Sequence, residues 1–583
     1  MWKQPLVTDF FKKYRWDYVV AVVAVGISKI IQVQIPNIIG NLINQFRLGI
    51  TVRLIQHYAG ELAVVSIGYV LLFGLGQFTV GKLARIFEAH LRQRLFSHWE
   101  LLEVQYFQKH TVGDLLSHVL NDVPTVRQAM AGGISQILQA AFLFLATLAM
   151  TVTKINWILT AASLIPLLLI PVVVVRIGPK IRRQSRLVQE ALSEMSDLAE
   201  ESLQSIRLIK STANEPIETQ RFTRKTDLIY DRSMDLVRLN TTFQALIPLL
   251  TGISFAIALV FGGELTLTHK ISLGAFVAFT VYLSMLVRPL MQFGNVINIF
   301  QNSSASLSRI ETLLKAKPQI TDPASPQSMP SFPSVTIQDL TFKYPHSTKP
   351  ALQHITLKIP AGSTLGIVGH TGAGKTTLCS LLLRELDPDP GAIFIGGVDI
   401  RDLSRADLRD HVAYVPQEGF LFSFPVGDNI GFPLTDSNPA LVTEAAHKAR
   451  ILTTIQNMPR GFATIVGERG INLSGGQRQR VAIARALVKI DAKILILDDS
   501  LSAVDSGTES SILAALQELR QKNQTTTIII SHRLSSLRDV DHILVLEDGM
   551  MAEYGTPKDL LSRLGGLYSH LYHIQTQGGA HLG

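Results

Sequence analysis

The chain has 583 residues, of which 47% are hydrophobic and 17% charged, with a mean hydropathy of +0.26 and a formal net charge of +8. This length excludes a single core, and the hydropathy predicts a membrane-embedded part. The positive charge is typical of the cytosolic loops of a membrane protein and does not by itself require nucleic acid as a partner. A single cysteine, Cys379, excludes a disulfide within the chain.

The N-terminal residues 1–17 are basic and aromatic and lack the small-residue cleavage site of a secretory signal. Lysine and arginine side chains surround Phe10, Phe11 and Trp16. This pattern predicts an amphipathic elbow helix lying on the cytosolic face of a membrane.

Six apolar stretches are long enough to cross a bilayer. Two long polar segments, 81–131 and 176–240, keep helical periodicity, so we expect the membrane helices to continue beyond the bilayer. Both segments are rich in lysine and arginine, whereas the connections 44–54, 153–156 and 262–272 are short and carry few charges. The positive-inside rule therefore places the long segments and both termini in the cytosol. The six stretches are residues 18–43, 55–80, 132–152, 157–175, 243–261 and 273–290.

Six spans with short outer loops and two long inner segments resemble the transmembrane domain of ABC exporters. Tyr106-Phe107 followed by Gly113-Asp114, and then Asn121-Asp122, is similar to the first intracellular loop of that family. Residues 205–213 lie where its second coupling helix falls. The resemblance implies that residues 107–116 and 205–213 are coupling helices, through which force from an ATPase enters the membrane domain.

Polar and ionisable side chains occur in and just beyond the predicted spans, where they are costly and usually face a cavity or another helix. In one interpretation they line a substrate pathway. In the other they form hydrogen bonds between helices, and Lys29 and Arg288 extend toward an interface. The residues are Lys29, Gln32, Gln34, Asn37, Asn41, Gln139, Arg288, Gln292, Asn295 and Asn298.

Residues 317–334 contain five prolines in a polar, serine-bearing context, which predicts a linker. We therefore expect a transmembrane domain over residues 1–316 and a nucleotide-binding domain over residues 335–583. Within the latter, apolar runs at 335–340, 351–359, 365–368, 493–497, 526–530 and 543–546 predict strands separated by helices, an α/β layer fold.

The stretch 369–377 supplies the G-x-x-x-x-G-K-[ST] spacing of a phosphate-binding loop, directly after an apolar run. Its three glycines allow the main chain to wrap an anion with N–H groups, and a helix starting near Lys375 adds the positive end of its dipole. Lys375 would neutralise the β and γ phosphates of ATP, and Thr376 would hold Mg²⁺. The nucleotide-binding residues expected here are Gly369, His370, Thr371, Gly372, Ala373, Gly374, Lys375, Thr376 and Thr377.

Further motifs of an ABC nucleotide-binding domain follow in the order of that family, so the resemblance covers the whole second half. Tyr344 matches the aromatic residue that stacks on adenine. Gln417 matches the glutamine that contacts Mg²⁺ and the attacking water, and Asp498 matches the Mg²⁺-linked carboxylate at the end of an apolar strand. His532 matches the switch histidine. The resemblance thus implies a metal site of Thr376, Gln417 and Asp498.

Residues 473–477, Leu-Ser-Gly-Gly-Gln, match the family signature, the most specific motif in the chain. Ser474 and the amides of Gly475, Gly476 and Gln477 form a second glycine-relieved helix start that can meet a γ-phosphate. In this family the signature acts on the nucleotide of a partner, which implies that two such domains close head to tail over two ATP molecules. Asp505 ends the loop 502–505, which resembles the segment of this family that communicates between the two ATP sites. Residues 467–470 resemble a segment of exporters that is placed to touch the coupling helices.

Asp499 departs from the family pattern, in which a glutamate follows the Mg²⁺-linked aspartate and acts on the hydrolytic water. Aspartate has a similar intrinsic pKa but is one methylene shorter, and a displacement of roughly 1 Å can reduce a rate on the order of a hundredfold. We therefore expect this catalytic site, with Gln417 and His532, to bind ATP well and hydrolyse it slowly. A partner that carries glutamate would form a competent site against the intact signature, as in heterodimeric bacterial multidrug exporters. A homodimer that tolerates aspartate is the alternative.

The chain is thus interpreted as one half of an ABC exporter in a bacterial cytoplasmic membrane, with an all-α six-helix transmembrane domain and an α/β P-loop nucleotide-binding domain. We expect ATP and Mg²⁺ as cofactors, and a second half-transporter, membrane lipid and a small hydrophobic or amphipathic substrate as partners. An ATP-gated regulatory or channel-like subunit is a rival interpretation. A soluble ATPase acting on nucleic acid is another, and the six spans argue against it.

Overall fold

The computed structural model describes residues 5–46, 51–345, 347–436, 438–467 and 470–578. The chain divides into two compact units between Lys317 and Pro318. The first unit is helical throughout its described part. Its α-helices are α1 (Pro5–Lys13), α2 (Arg15–Gln32), α3 (Gln34–Phe46), α4 (Val52–Trp99), α5 (Val104–Lys109), α6 (Val112–Ser117), α7 (Val123–Gln128), α8 (Ile134–Lys154), α9 (Trp157–Gln204), α10 (Ile206–Thr212), α11 (Glu215–Leu267) and α12 (Leu273–Leu314).

Within the described residues, six helical stretches are long and apolar enough to cross a membrane, which confirms the six predicted spans. Helix α4 has 48 residues, or about 72 Å at 1.5 Å per residue, against a hydrocarbon core of about 30 Å. Helices α9 and α11 are as long or longer. The predicted continuation of the helices beyond the bilayer is therefore confirmed. Helix α1 lies within the predicted elbow, of which residues 1–4 fall outside the described part of the chain.

The first span, predicted as one stretch, is broken at Val33 between α2 and α3. Pro36 lacks an N–H group and cannot complete the helical hydrogen-bond ladder. Tyr282 of α12 is buried at the break, where its hydroxyl donates a 2.8 Å hydrogen bond to the carbonyl of Val33. The side chain of a second helix thus binds a main-chain carbonyl at the break.

The two predicted coupling-helix positions contain short helices. Residues 107–116, expected as one helix, are interrupted at His110 and Thr111 between α5 and α6, and the Thr111 hydroxyl caps α6 by accepting from the Asp114 N–H. The second position holds α10, which ends at Ala213 in the left-handed conformation (φ 52°). Beyond α6, a π-turn over His118–Asp122 leads into α7, and a second π-turn over Ala129–Gly133 leads into α8.

The segment predicted as a linker belongs, from Pro318 onward, to the second compact unit. Met329 is buried in an apolar cluster of that unit. The main chain of Gln327 pairs with residues 402–404, donating to the Asp402 carbonyl and accepting from the Ser404 N–H. The proline-rich segment is thus packed along one edge of the second unit.

The second unit is built on two sheets, which confirms the predicted α/β fold. A six-stranded sheet has the order β10-β9-β3-β8-β7-β6, parallel except for the β9–β10 pair, and a four-stranded antiparallel sheet has the order β2-β1-β4-β5. The strands are β1 (Val335–Phe342), β2 (Leu352–Ile359), β3 (Thr364–Gly369), β4 (Ile393–Ile395), β5 (Val398–Asp399), β6 (Val412–Val415), β7 (Ile494–Asp498), β8 (Thr526–Ile530), β9 (His542–Glu547) and β10 (Met550–Gly555).

Helices cover the parallel sheet and form two apolar clusters with it, because strands buried on both faces are apolar throughout. All residues of β3, β7 and β8 are buried. The helices are α13 (Lys375–Leu382), α14 (Arg405–His411), α15 (Val426–Gly431), α16 (Pro439–Lys448), α17 (Leu452–Gln456), α18 (Gly475–Leu487), α19 (Ser506–Asn523), α20 (Pro557–Ser562) and α21 (Leu567–Gly578).

Candidate nucleotide-binding site

Four neighbouring parallel strands end at the same edge of the six-stranded sheet. The loop after β3 is the predicted phosphate loop, and β7 ends at Asp498, which Asp499 follows. His532 follows β8, and Gln417 follows β6. Because β3, β8, β7 and β6 are consecutive in the sheet, residues distant in sequence are brought to one edge, where ligands bind in open α/β sheets.

The phosphate loop has the main-chain geometry that its glycines predict. Gly372 and Gly374 have φ angles of 86° and 98°, which L-residues rarely adopt. A Cβ atom on Gly374 would lie 2.6 Å from the carbonyl oxygen of Ala351, so this position has no room for a side chain. Helix α13 begins at Lys375, as predicted, and directs its free N–H groups toward the loop.

Lys375 extends back across the phosphate loop. Its ammonium group donates hydrogen bonds to the carbonyls of Gly369 (2.8 Å) and His370 (2.9 Å). Burial lowers the pKa of this ammonium group, and the carboxylates of Asp498 and Asp499 act in the opposite direction. A buried cation beside a ring of N–H groups is suited to an anionic ligand such as a polyphosphate.

Tyr344 lies beside the start of α13, where its hydroxyl is 3.2 Å from that of Thr377. Its ring is half-buried and stands edge-on to Phe342, with ring centroids 5.2 Å apart. Tyr344 is therefore held next to the phosphate loop. His370, Thr371 and Thr376 are exposed within the second unit, whereas Ala373 and Thr377 are buried.

Asp498 has the surroundings of a metal-binding carboxylate. It is buried, and its Oδ2 atom has no hydrogen-bond partner among the described residues. Burial raises the pKa of Asp498, while a hydrogen bond from Thr376 and the charges of Lys375 and His532 oppose that shift. An orphaned carboxylate oxygen beside a threonine hydroxyl fits Mg²⁺, which prefers oxygen ligands. Gln417 is exposed, and its carbonyl accepts a 3.3 Å hydrogen bond from Gln479.

Asp499 adopts the left-handed conformation (φ 44°), which aspartate tolerates better than most residues. Its N–H donates to the carbonyl of Ile530 at 3.0 Å. Its Oδ1 atom accepts from the main-chain N–H of His532 at 3.4 Å. The carboxylate of Asp499 is thus held against the loop of the predicted switch histidine, whose imidazole is exposed.

The signature motif forms the start of α18 in a capping box. The Ser474 hydroxyl accepts from the Gln477 N–H at 3.3 Å, and the Gln477 side chain accepts from the Ser474 N–H at 3.0 Å. Gly475 borders a cavity of about 760 Å³ together with Gln417 and Ala503. Among the described residues, no phosphate-loop residue lines this cavity.

Two other predicted segments are placed less fully. Asp505 is the N-cap of α19, where its side chain accepts from the Thr508 N–H at 2.9 Å. Within the predicted exporter segment 467–470, Glu468 and Arg469 lie outside the described residues.

Three residues at the site were missed by sequence reasoning. Burial and the nearby charge of Asp498 raise the pKa of Tyr414 on β6. Arg533 donates to the carbonyls of Ser502 (2.8 Å) and Val504 (3.0 Å), and Gln575 hydrogen-bonds to the main chain of the His532 loop. Arg533 adjoins the predicted His532 and could have been flagged by position, whereas Gln575 lies in a C-terminal helix without a motif.

The fold and this sheet edge define a P-loop ATPase domain joined to a helical unit with six membrane-spanning stretches. Models of known families match both units. Residues 18–290 match the ABC transporter transmembrane region, and residues 352–502 match the ABC transporter family.

Individual relatives resemble the chain over nearly its full length. It is 34% identical over 580 residues to the "Probable multidrug resistance ABC transporter ATP-binding/permease protein YheI" of Bacillus subtilis, covering 98% of each chain. It is 35% identical over 487 residues to an "ATP-dependent lipid A-core flippase" of Desulfotalea psychrophila, covering 83% of this chain and 84% of the relative. A solved structure, "Structure of a bacterial Atm1-family ABC exporter with ATP bound", superposes with a TM-score of 0.79 at 27% identity, covering 96% of this chain and 99% of the other.

The chain therefore belongs to the ABC transporter family and has the fold of an ABC exporter. It is a multi-pass membrane protein whose second unit binds ATP and couples its hydrolysis to transport.

Proposed function

We propose that this chain is one half of a heterodimeric ABC exporter whose own phosphate loop forms a slow, degenerate ATPase site. The observation that carries the proposal is Asp499, which stands after Asp498 where the family pattern has glutamate. Its carboxylate is held by the His532 N–H, so one methylene fewer moves it away from a water beside the γ-phosphate.

In this proposal the residues at the sheet edge bind nucleotide. Lys375 and the N–H groups of the phosphate loop hold the β and γ phosphates, and the ring of Tyr344 stacks on adenine. His532 contacts the γ-phosphate. Thr376, Gln417 and Asp498 would hold Mg²⁺, which neutralises phosphate charge when bound. The unpartnered Oδ2 atom of Asp498 supports this metal assignment.

The signature residues Ser474, Gly475, Gly476 and Gln477 would complete the second, competent site on the phosphate loop of a partner chain. The described lining of the cavity beside Gly475 contains no phosphate-loop residue of this chain, which supports that division. Closure of two nucleotide-binding domains would then be stabilised by two ATP molecules, each held between two chains.

We propose that the cargo is hydrophobic or amphipathic, as the multidrug and lipid A names of the relatives suggest. We place the protein in a bacterial cytoplasmic membrane with both termini and the ATPase unit in the cytosol, because its long inner segments are basic. Some polar side chains of the spans form hydrogen bonds within their own helix or contact a neighbouring helix. The Lys29 ammonium donates to Gln32 at 2.9 Å and lies over the ring of Phe73, and Gln139 donates to Ser135 at 2.7 Å.

Transport into inverted vesicles tests the proposal. The chain is assembled with its partner, and uptake of a panel of dyes, drugs and lipid probes is measured with ATP. We expect uptake to be abolished when the partner's catalytic glutamate is changed to glutamine and to persist in Asp499→Asn. ATP-dependent gating without accumulation would contradict a pump, and normal exporter ATPase activity of the purified chain alone would favour the homodimer.

Unchanged transport in both Gln34→Ala and Gln292→Ala would contradict the substrate-pathway assignment.

A further inference from the structure

The C-terminal helix α21 is hydrogen-bonded to the loop that carries His532. The Gln575 carboxamide donates to the main-chain carbonyl of His532 at 2.7 Å. It also accepts from the N–H of Leu534 at 3.0 Å. One side chain therefore holds the two main-chain groups that flank Arg533. These bonds restrict the peptide rotations on which the direction of the His532 imidazole depends.

Helix α21 is itself firmly attached to the second unit. Glu553 of β10 accepts from the N–H groups of Leu567 (2.9 Å) and Tyr568 (3.1 Å), so its carboxylate binds the positive end of the helix. Tyr568 is 1% exposed and belongs to the same apolar cluster as Leu534. The helix is thus a fixed support, from which Gln575 reaches the loop.

The opposite side of the loop is bonded to the ATPase site. The His532 N–H donates to Asp499, as described above. The Arg533 guanidinium donates to the carbonyls of Ser502 and Val504 and forms a 3.1 Å ion pair with Glu509, which is buried on α19. The loop is therefore held by α21 on one side and by residues 499–509 on the other. The described side-chain hydrogen bonds from α21 to this loop are those of Gln575.

We propose that Gln575 is a positioning residue for His532, which orients the imidazole toward the γ-phosphate of ATP bound on this chain's phosphate loop. This inference rests on the γ-phosphate role given to His532 in the proposed function. The described hydrogen bonds of Gln575 go to main-chain atoms of the loop. Its loss therefore leaves the imidazole of His532 chemically unchanged but free to take other directions. The consequence is a weaker preference for a triphosphate over a diphosphate.

Nucleotide binding to the full-length chain in lipid nanodiscs tests the proposal. The probes are the Mg²⁺ complexes of ADP and of adenylyl imidodiphosphate, a non-hydrolysable ATP analogue, and both affinities are measured by calorimetry. Removing one positioning hydrogen-bond pair should weaken binding of the triphosphate analogue about three- to tenfold and leave ADP binding within about twofold. We expect this result for Gln575→Ala. Gln521→Ala, at an exposed glutamine of α19, is the matched control and should change neither affinity.

A second variant covers the case in which Gln575→Ala unfolds the helix. Gln575→Glu keeps the size of the side chain and the bond from the Leu534 N–H but cannot donate to the His532 carbonyl, so it should lose triphosphate preference while its thermal unfolding stays that of the wild type. In a double-mutant cycle, adding Gln575→Ala to His532→Ala should cause no further loss, since both act through one imidazole.

The outcomes distinguish a failure of the positioning role of Gln575 from a failure of the γ-phosphate role of His532. If His532→Ala lowers the preference for the triphosphate while Gln575→Ala and Gln575→Glu do not, the positioning role is overturned and the proposed function stands. If His532→Ala leaves the preference unchanged, the γ-phosphate role of His532 is overturned, and the positioning role with it. Additive losses in the double variant would assign Gln575 a separate effect and contradict the proposal.

Discussion

Asp498 and Asp499 are adjacent carboxylates at the end of β7 with different surroundings. Asp498 continues the strand and has a free Oδ2 atom. Asp499 turns into the left-handed conformation and is held by the His532 N–H. Aspartate tolerates the left-handed conformation at position 499 better than most residues.

Asp499→Glu should raise the ATPase rate of this chain's site. The measurement uses the assembled transporter in which the partner's catalytic glutamate is changed to glutamine, so that remaining phosphate release reports on the Asp499 site. We expect an increase of about tenfold or more, since the carboxylate gains roughly 1 Å of reach. Asp499→Asn is the control and should stay at background. Equal rates for the wild-type chain and Asp499→Glu would contradict a degenerate site.

Cys379 is inert in the folded protein. It is fully buried on α13, and burial raises the pKa of its thiol well above its ordinary value. Reactivity requires the thiolate, whose fraction stays small below the pKa. Maleimide labelling of the native chain should therefore remain low from pH 7 to pH 9 and become stoichiometric in denaturant. Rapid labelling of the native protein at pH 8 would contradict the burial of this helix.

At the scale of single elements, the third spanning stretch is joined to the end of the sixth by one ion pair. Asp122 lies in the π-turn after α6, where the wider helical turn places its carboxylate beside α12. Arg309 of α12 binds it through two nitrogen atoms, one of them Nε at 3.0 Å, and His118 contacts it at 2.7 Å. Asp122 is buried, whereas the Arg309 side chain is 52% exposed.

The unequal burial predicts unequal effects of the two single substitutions. Arg309→Met leaves a buried carboxylate without its cation and should destabilise the first unit by about 2 kcal/mol, less than a fully buried pair because Arg309 is half-exposed. Asp122→Asn leaves only an exposed cation and should have a smaller effect. The Tm of the detergent-purified chain measures both, and the double variant should recover part of the loss. A larger loss in Asp122→Asn would contradict this assignment.

Sequence patterns predicted the elements whose signal is local. Long apolar runs predicted all six spans, and buried runs such as β7 and β8 were found within a residue of their observed bounds. The break at Val33 was missed, although Pro36, three residues further on, is a local signal for it. Strands β4, β5 and β6 were missed because runs of two to four residues carry too little periodic signal. Strand β10 was missed as well, because its residues are exposed or half-buried and form no apolar run.

At the scale of the whole molecule, the two glycines of the signature have different environments. A Cβ atom on Gly476 would lie 2.9 Å from the carbonyl oxygen of Ala503, so this glycine is required by packing within the chain. A Cβ atom on Gly475 would meet no described atom within 4 Å. Packing within the described chain therefore does not require glycine at position 475.

Gly475→Ala should lower the ATPase activity of the assembled transporter without destabilising the isolated chain. We expect the Tm of the isolated chain to change little, while the ATPase rate of the assembled transporter falls more than about tenfold, because the added methyl group occupies the approach of the partner's γ-phosphate. Gly476→Ala is the comparison and should lower the Tm as well. Full ATPase activity in Gly475→Ala would contradict the proposed use of this signature on the partner's ATP.

The sequence by itself determined the class of the protein and the chemistry of its phosphate loop, because spans and glycine-rich loops depend on neighbouring residues along the chain. Only the tertiary structure decided which groups support that chemistry. The hydrogen bonds of Arg533 and Gln575 join remote segments through main-chain carbonyls and N–H groups, which every residue possesses. Such contacts leave no pattern in the sequence and appear only when the strands and helices are packed together.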